Sequence, residues 1–306
     1  MCPVCRREKL LFIDRKPLIM IDLNEQAAVR RMEENMTNKQ DILRNIELFV
    51  LDMDGTFYLG DRILPGSAAF LEAVRRTGRR YLFFTNNSSR DPQDYMEKLA
   101  AMGCPITRSQ IMTSGDVTIR FLQTQYPGKR VWLAGTPSLE RSFREAGISL
   151  VNDDPAETVP DIVVVGFDTT LTYRKLSDAC TYIRNGALFL ATHPDINCPT
   201  ETGFIPDCGS FCAAITLSTG VKPRYLGKPY PETVDMVLDR TGCRREKTAF
   251  VGDRLYTDTA AGVNNGAHGI LVLTGESSVD DIRPGENEPD AVFSSLGEMG
   301  EELLRL

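Results

Sequence analysis

The sequence predicts an α/β fold, a parallel-sheet core with a second α/β unit inserted into it. Three observations carry this. From residue 47 onward, short apolar runs alternate with amphipathic stretches, the pattern of parallel strands joined by crossover helices. The alternation restarts near residue 129 and the first unit resumes near 222, so 47–128 and 222–306 read as the core and 129–221 as the insertion. The composition, 42% hydrophobic and 25% charged over 306 residues, is that of a globular chain long enough for two such units.

Each element has a local reason. "IELFVLD" is a short run with no polar face, a strand buried on both sides. "GSAAFLEAVRRTG" reads as a helix stopped by Gly78, and "RRYLFFTNN" as the next strand. In "DPQDYMEKLAAMG", Asp91 is the expected cap, Pro92 the first helical residue and Gly103 the stop. "SQIMTSG" is a third strand and "DVTIRFLQTQY" a helix ended by a Pro-Gly break. The insertion repeats the scheme with strands "RVWLAG", "DIVVVGF" and "ALFLATH" and helices "PSLERSFREAG" and "RKLSDACTYIRNG". Its loop "PDINCPTETGFIPDCGS" is long and rich in Pro and Gly, the kind of segment that carries function, and the helix "FCAAITLSTG" follows. The core then resumes with "RYLGKP", a helix around "PETVDMVLDRTG", the strand "KTAFVGD", a helix "DTAAGVNNG" and the strand "HGILVLTG".

Residues 1–46 read as an N-terminal extension: charged, without a clear period, with Met32 and Met36 as alternative starts. The apolar stretch "LLFIDRKPLIMIDL" is broken by Asp14, Arg15 and Lys16, which argues against a cleavable signal. No apolar run reaches the length of a bilayer span. The expectation is a cytoplasmic protein with reduced thiols and no membrane partner. A net charge of −7 argues against a nucleic-acid partner. Cys2 and Cys5 make half a zinc site, without an obvious other half. Cys208 and Cys212, with Cys198 and His193 nearby, fit a metal cluster less well than they fit small buried thiols on a helix.

Four motifs lie in the core unit where a strand ends or a helix begins: "DMDGT" (52–56), "FTNNS" (84–88), "GKP" (227–229) and "GDRLYTD" (252–258). Open α/β sheets place ligands at that edge. Taken alone, "DMDGT" fits a plain turn as well as a site. It does not fit a calcium loop, which needs a third acid, a later glycine and a preceding helix. The other motifs weigh toward a site. Asp253 ends its strand, so three carboxylates, Asp52, Asp54 and Asp253, converge at one edge. Clustered acids repel unless a hard divalent cation sits among them, and magnesium suits a site of few carboxylates and several waters. Thr85 and Asn86 offer a hydroxyl, an amide and backbone N–H groups to phosphate oxygens. Lys228 supplies a positive charge for the same oxygens.

In order and spacing these motifs resemble the haloacid dehalogenase superfamily. The position of the insertion resembles its NagD-like, p-nitrophenylphosphatase branch, as do "ATHPD", "GVKPRYLGKP" and "VLTG". The resemblance covers residues 47–306. It implies a Rossmann-like core with an α/β cap, and a magnesium-dependent phosphatase acting on small phosphorylated metabolites. It implies Asp52 as nucleophile forming an aspartyl-phosphate, and Asp54 as the acid and then base. Thr85 and Asn86, with Asn87 beside them, would bind the phosphoryl group, and Lys228 would neutralise it. Asp52, Asp253 and the backbone carbonyl of Asp54 would hold Mg2+, and Asp258 would orient Lys228 or a water on the metal. A homodimer through the cap is the assembly the resemblance suggests.

Physical chemistry asks for such a combination. Phosphate monoesters need up to ~10²¹-fold acceleration, and a general acid gives only about 10²–10⁴. Bland roles remain open for several residues. Asp258 equally suits an N-cap, Asn87 and Ser88 equally suit a turn, and His268 suits a core-edge position better than a catalytic one. His193 stands where the branch often has Asn; with Asp195 and Cys198 it is a candidate cap contact to the leaving group. A phosphotransferase or phosphomutase on the same core is the nearest rival, disfavoured because residues 57–84 are too few for a helical cap between the first two motifs. A non-catalytic phosphometabolite-binding regulator would be expected to lack one of the key acids or Lys228, and all are present. A generic dinucleotide-binding domain lacks its G-x-G-x-x-G.

Overall fold

The computed structural model describes residues 39–151, 159–200 and 202–306. The readings made on Cys2, Cys5, Met32 and Met36 fall outside these residues. Among the described residues, no helix is long and apolar enough to cross a membrane.

Six strands form the core sheet in the order Ala291–Phe293, His268–Val272, Thr248–Gly252, Leu48–Leu51, Arg80–Thr85 and Ile111–Thr113. Every pairing in it is parallel. Parallel strands need crossovers that cover both faces, so their residues are buried whichever way they point. The central strand illustrates this: Phe49 and Leu51 join one hydrophobic cluster with Phe83, Val251 and Ile270, while Leu48 and Val50 join another with Leu82, Phe84 and Phe250. Residues 39–46, part of the stretch read as an extension, pack against this core. Leu43 and Ile46 are buried in it, and Lys39 pairs with Glu298 at 3.1 Å.

The cap is a second parallel sheet, ordered Arg224–Tyr225, Leu188–Ala191, Ile162–Val165, Arg130–Ala134 and Ser149–Leu150. Its strands alternate in the same way, with Val131, Leu133 and Val164 in the cluster shared with the core and Trp132, Val163 and Phe189 in a third. The final cap strand, Arg224–Tyr225, pairs with Leu190 and Ala191, immediately before the chain re-enters the core at Leu226–Lys228.

Helix termini follow the sequence closely. Asp91 caps Pro92–Ala101 in a reciprocal capping box with Asp94. Asp207 caps Cys208–Thr219. Three elements differ from expectation. The loop before Cys208 contains an antiparallel hairpin, Asn197–Thr200 with Gly203–Pro206. A second small hairpin, Tyr58–Leu59 with Arg62–Ile63, follows the first motif. The expected helix "DTAAGVNNG" is instead a wide π-type turn, Leu255–Thr259, running into Ala260–Val263, a distortion common at functional sites.

Candidate active site

The motifs meet at the carboxyl edge of the core sheet. Asp52 follows Leu51, Thr85 ends its strand, and Asp253 follows Gly252. Asp52 and Thr85, together with Asp54, Asn86, Asn87, Lys228 and Asp258 from the core, and Asp195, Cys198 and Asp207 from the cap, line one narrow cleft of about 30 Å³, and an Asp253 oxygen lies within 4.8 Å of oxygens of Asp52 and Asp258.

Lys228 is the centre of the charge arrangement. Its Nζ donates to Asp52 Oδ1 at 2.5 Å and to Asp258 Oδ1 at 2.6 Å. Burial alone would lower its pKa, but Asp258 and Asp52 outweigh that and raise it. Asp258 is therefore not the cap of the short helix after it, whose N-cap is Thr259. The wide turn aims Asp258 back at Lys228, and its other oxygen accepts from Arg254 N at 3.1 Å.

Asp253 is held differently, by neutral donors. Thr56 Oγ1 donates to one oxygen at 2.9 Å and Glu276 N to the other at 2.8 Å. Burial, helped by the charge of Asp258, pushes its carboxyl up to about 6. Gly55 makes this approach possible. It sits at φ +86°, and a Cβ there would lie 2.7 Å from Asp253 Oδ2. Oxygens of Asp52, Asp253 and Asp258 all lie within 4.8 Å of one another. Asp52 is also raised, first by burial, against the pull of Lys228. Three hard oxygen donors facing one ammonium suit a divalent cation.

Asp54 also lines the cleft. Burial raises its pKa, and its nearest partner is Tyr58, whose hydroxyl donates to Oδ2 at 3.3 Å. A carboxyl that is readily protonated and reaches the cleft is equipped to give and take a proton.

Two sequence comparisons match this chain. A model described as haloacid dehalogenase-like hydrolase matches residues 49–149, and one described as HAD-hydrolase-like matches 225–299. An acid sugar phosphatase from Staphylococcus epidermidis is 35% identical over 254 residues, 83% of this chain and 96% of the relative. The chain belongs to the haloacid dehalogenase-like hydrolases. It is a phosphatase of that family. Solved structures agree on the branch. A 4-nitrophenylphosphatase from Thermotoga maritima is 48% identical with a TM-score of 0.80, covering 85% of this chain and 98% of its own. NagD from E. coli K-12 is 34% identical with a TM-score of 0.75, covering 83% and 98%. A glycerol phosphate phosphatase from Mycobacterium tuberculosis, solved with magnesium, is 32% identical with a TM-score of 0.77, covering 84% and 77%.

Several residues of the phosphatase sit otherwise than the sequence suggests. The Asn86 side chain is not free for phosphate: its amide donates to Asp195 Oδ1 and to Lys228 O, both at 3.0 Å, and its oxygen accepts from Lys228 N at 2.8 Å. It ties the first unit to the cap and to the lysine loop. Thr85 Oγ1 accepts from Asn87 N, and Asn87 Oδ1 accepts from Ser89 N, so Asn87 is a turn residue that also faces the cleft. Ser88 is wholly buried, between Thr192 and Phe167 N.

His193, a candidate substrate contact, does not line the cleft. It is fully buried, with Nε2 at 2.9 Å from Asp207 Oδ1 and Nδ1 at 2.8 Å from Thr192 Oγ1. Both ring nitrogens are engaged, which leaves none for a ligand. Asp195 and Cys198 do reach the cleft, but burial pushes the Cys198 thiol up to about 12, so it enters as a neutral group. His268 opens a core strand and pairs with Asp290 at 3.4 Å.

Arg254 was missed, although it lies inside "GDRLYTD". Its NH1 is 3.0 Å from Asp195 Oδ2 and its Nε is 2.8 Å from Glu276 Oε2, a second bridge from core to cap. Asp207 was missed too, and the only sequence signal was its cap position before "CGSFCAA".

Proposed function

We propose that this chain is a magnesium-dependent phosphatase that hydrolyses small phosphomonoesters through an aspartyl-phosphate. The observation that carries this is the pairing of Asp52 with Lys228 at 2.5 Å, with Asp54 two residues further on and facing the same cleft. The ammonium holds one carboxylate oxygen of Asp52, which fixes the direction of the other. A nucleophile oriented in this way is what in-line attack on phosphorus requires. Asp52 bonds to phosphorus as the ester oxygen leaves. Asp54 donates the proton to that oxygen, and afterwards takes one from the water that cleaves the acyl phosphate. Lys228 offsets charge on the phosphoryl oxygens, and Thr85 with the turn after it lines the place where they would sit.

Asp52, Asp253 and the Asp54 backbone carbonyl are the residues that would hold magnesium, with Asp258 near the same point. Bound there, the ion would neutralise part of the negative charge that phosphoryl transfer builds up. The excess of carboxylates over cations and the raised Asp52 and Asp253 carboxyls fit such an occupant. Small phosphomonoesters are the substrate class because the relatives are named for acid sugar, nitrophenyl and glycerol phosphates.

Phosphate release from nitrophenyl phosphate and a panel of alkyl phosphates tests the proposal. Chelation should abolish it, magnesium should restore it, and calcium, with its looser geometry, should not. Full turnover by the metal-free protein would remove the assignment of the acidic cluster.

A further inference from the structure

The cleft is too small for more than a phosphoryl-sized group, so the rest of a substrate must lie elsewhere. A groove of about 750 Å³ is lined by Ser89, Arg90, Lys98, Thr136 and Thr170 among others, and the charges of Lys98 and Arg90 act on Asp54. Direct contacts link the two spaces. Asp54 lines the cleft, Tyr58 reaches it at 3.3 Å, and Lys98 Nζ, in the groove, lies 4.0 Å over the Tyr58 ring. Ser89, also in the groove, is bonded to Asn87 in the cleft. A leaving group departing past Asp54 is directed toward this groove.

The cations there are unlike the others around the site. Lys228 and Arg254 each hold two carboxylates within hydrogen-bond distance. Arg90 is exposed and has no ion pair among the described residues. Lys98 is half-buried; among the described residues its one ion pair is with the highly exposed Asp61 at 3.9 Å, and the charge of Asp54 also acts on it. Of the groove's other acids, Asp94 accepts from Asp91 N and pairs with Arg141, whereas Glu97 accepts only from the neutral Gln93 amide among the described residues and keeps its charge. Burial, with the like charge of Arg90, lowers the Lys98 pKa against the pull of Asp54 and Asp61. We propose that the groove receives the leaving group, and that Arg90, with Lys98 beside it, selects leaving groups carrying an anionic carboxylate or phosphate. This rests on the phosphatase reading and on Asp54 facing the leaving oxygen.

The test compares phosphoglycolate with hydroxyethyl phosphate, esters that differ chiefly in a carboxylate against a hydroxymethyl group, with nitrophenyl phosphate measured alongside. The protein should prefer phosphoglycolate in kcat/KM by about fivefold or more, mostly through KM, with the ratio shrinking as salt rises. Arg90→Gln should take roughly fivefold off that ratio and Arg90→Lys should keep most of it. Arg90 is exposed on a loop, so both variants should fold, and circular dichroism checks this. A ratio near one in the wild type, or an unchanged ratio in Arg90→Gln, would overturn the inference while turnover of nitrophenyl phosphate left the phosphatase reading standing. Failure to hydrolyse any of the three esters would overturn both.

Discussion

Two buried clusters of titratable groups sit at the edges of the two sheets, and their charge balance differs. In the core, Asp52, Asp253 and Asp258 converge around Lys228. In the cap, Asp195 and Asp207 converge on His193, and Arg254 reaches across from the core to Asp195. The cap cluster is closer to matched, two carboxylates against an imidazolium and a guanidinium that is shared with Glu276. The core cluster is short of positive charge, and Asp253 has only neutral donors on its oxygens. A matched buried cluster fixes a structure. A cluster left short of positive charge is costly by itself and is suited to a cation and an anionic reaction centre.

Substituting the core acids should produce the largest effects. Asp52→Asn should lower turnover of every ester by at least about 10⁴-fold, because an amide cannot form the phosphoenzyme. Residual turnover near wild type would move the nucleophile elsewhere. Asp54→Asn should discriminate between esters. Alkyl phosphates need a proton on the leaving oxygen and should fail to form phosphoenzyme, whereas nitrophenolate leaves without one. Rapid-quench measurement should show a burst of nitrophenol approaching one equivalent and then a stall. Sustained turnover of both substrates would take Asp54 out of the acid and base roles.

Lys228→Met attacks the balance itself. It leaves Asp52 and Asp258 buried without their shared cation, and breaking a buried pair in this way costs about 3–5 kcal/mol. Chemical denaturation should show that loss, and it should be smaller with magnesium present than with a chelator. An equal loss in both conditions would mean the ion binds away from these carboxylates.

These contrasts also mark what the sequence made legible. Both sheets were visible because their strands are short runs such as "LFVL" and "IVVV", buried on both faces, which leaves a signal in consecutive residues. Asp52, Thr85 and Asp253 were visible because each ends or follows such a run, and Lys228 because it sits in the short motif "GKP". What was hidden depends on contacts distant in sequence. Asn86 finds Asp195 across 109 positions, and Arg254 finds Asp195 across 59. No local pattern announces that an amide or guanidinium will be engaged by the other domain. The hairpin Asn197–Thr200 with Gly203–Pro206 was hidden for another reason: its side chains are mostly exposed, so it lacks the apolar alternation that reveals a strand.

His193 gives the mildest and most specific test of the comparison. Burial disfavours its charge, but Asp207, with further help from Cys208 and Asp195, raises the pKa from 6.5 to about 9. Thr192 and Ser114 face the ring as neutral partners. A folded-state pKa above the unfolded one means that folding favours the protonated imidazole. Its contribution is therefore complete below about pH 6.5, declines between 6.5 and 9, and is gone above 9. A shift of that size corresponds to about 3 kcal/mol. His193→Asn should lack this pH-dependent part, so the stability gap between wild type and variant should narrow by up to that amount from pH 6 to pH 10. Asp207 loses its partner at every pH and adds a constant offset, which is why the slope, not the gap itself, is the measurement. Because the ring does not line the cleft, turnover of nitrophenyl phosphate by the folded variant should stay within a few-fold of wild type. A gap independent of pH would mean the imidazole is neutral and the cap cluster is not matched. A collapse of turnover with stability intact would put His193 in the chemistry after all.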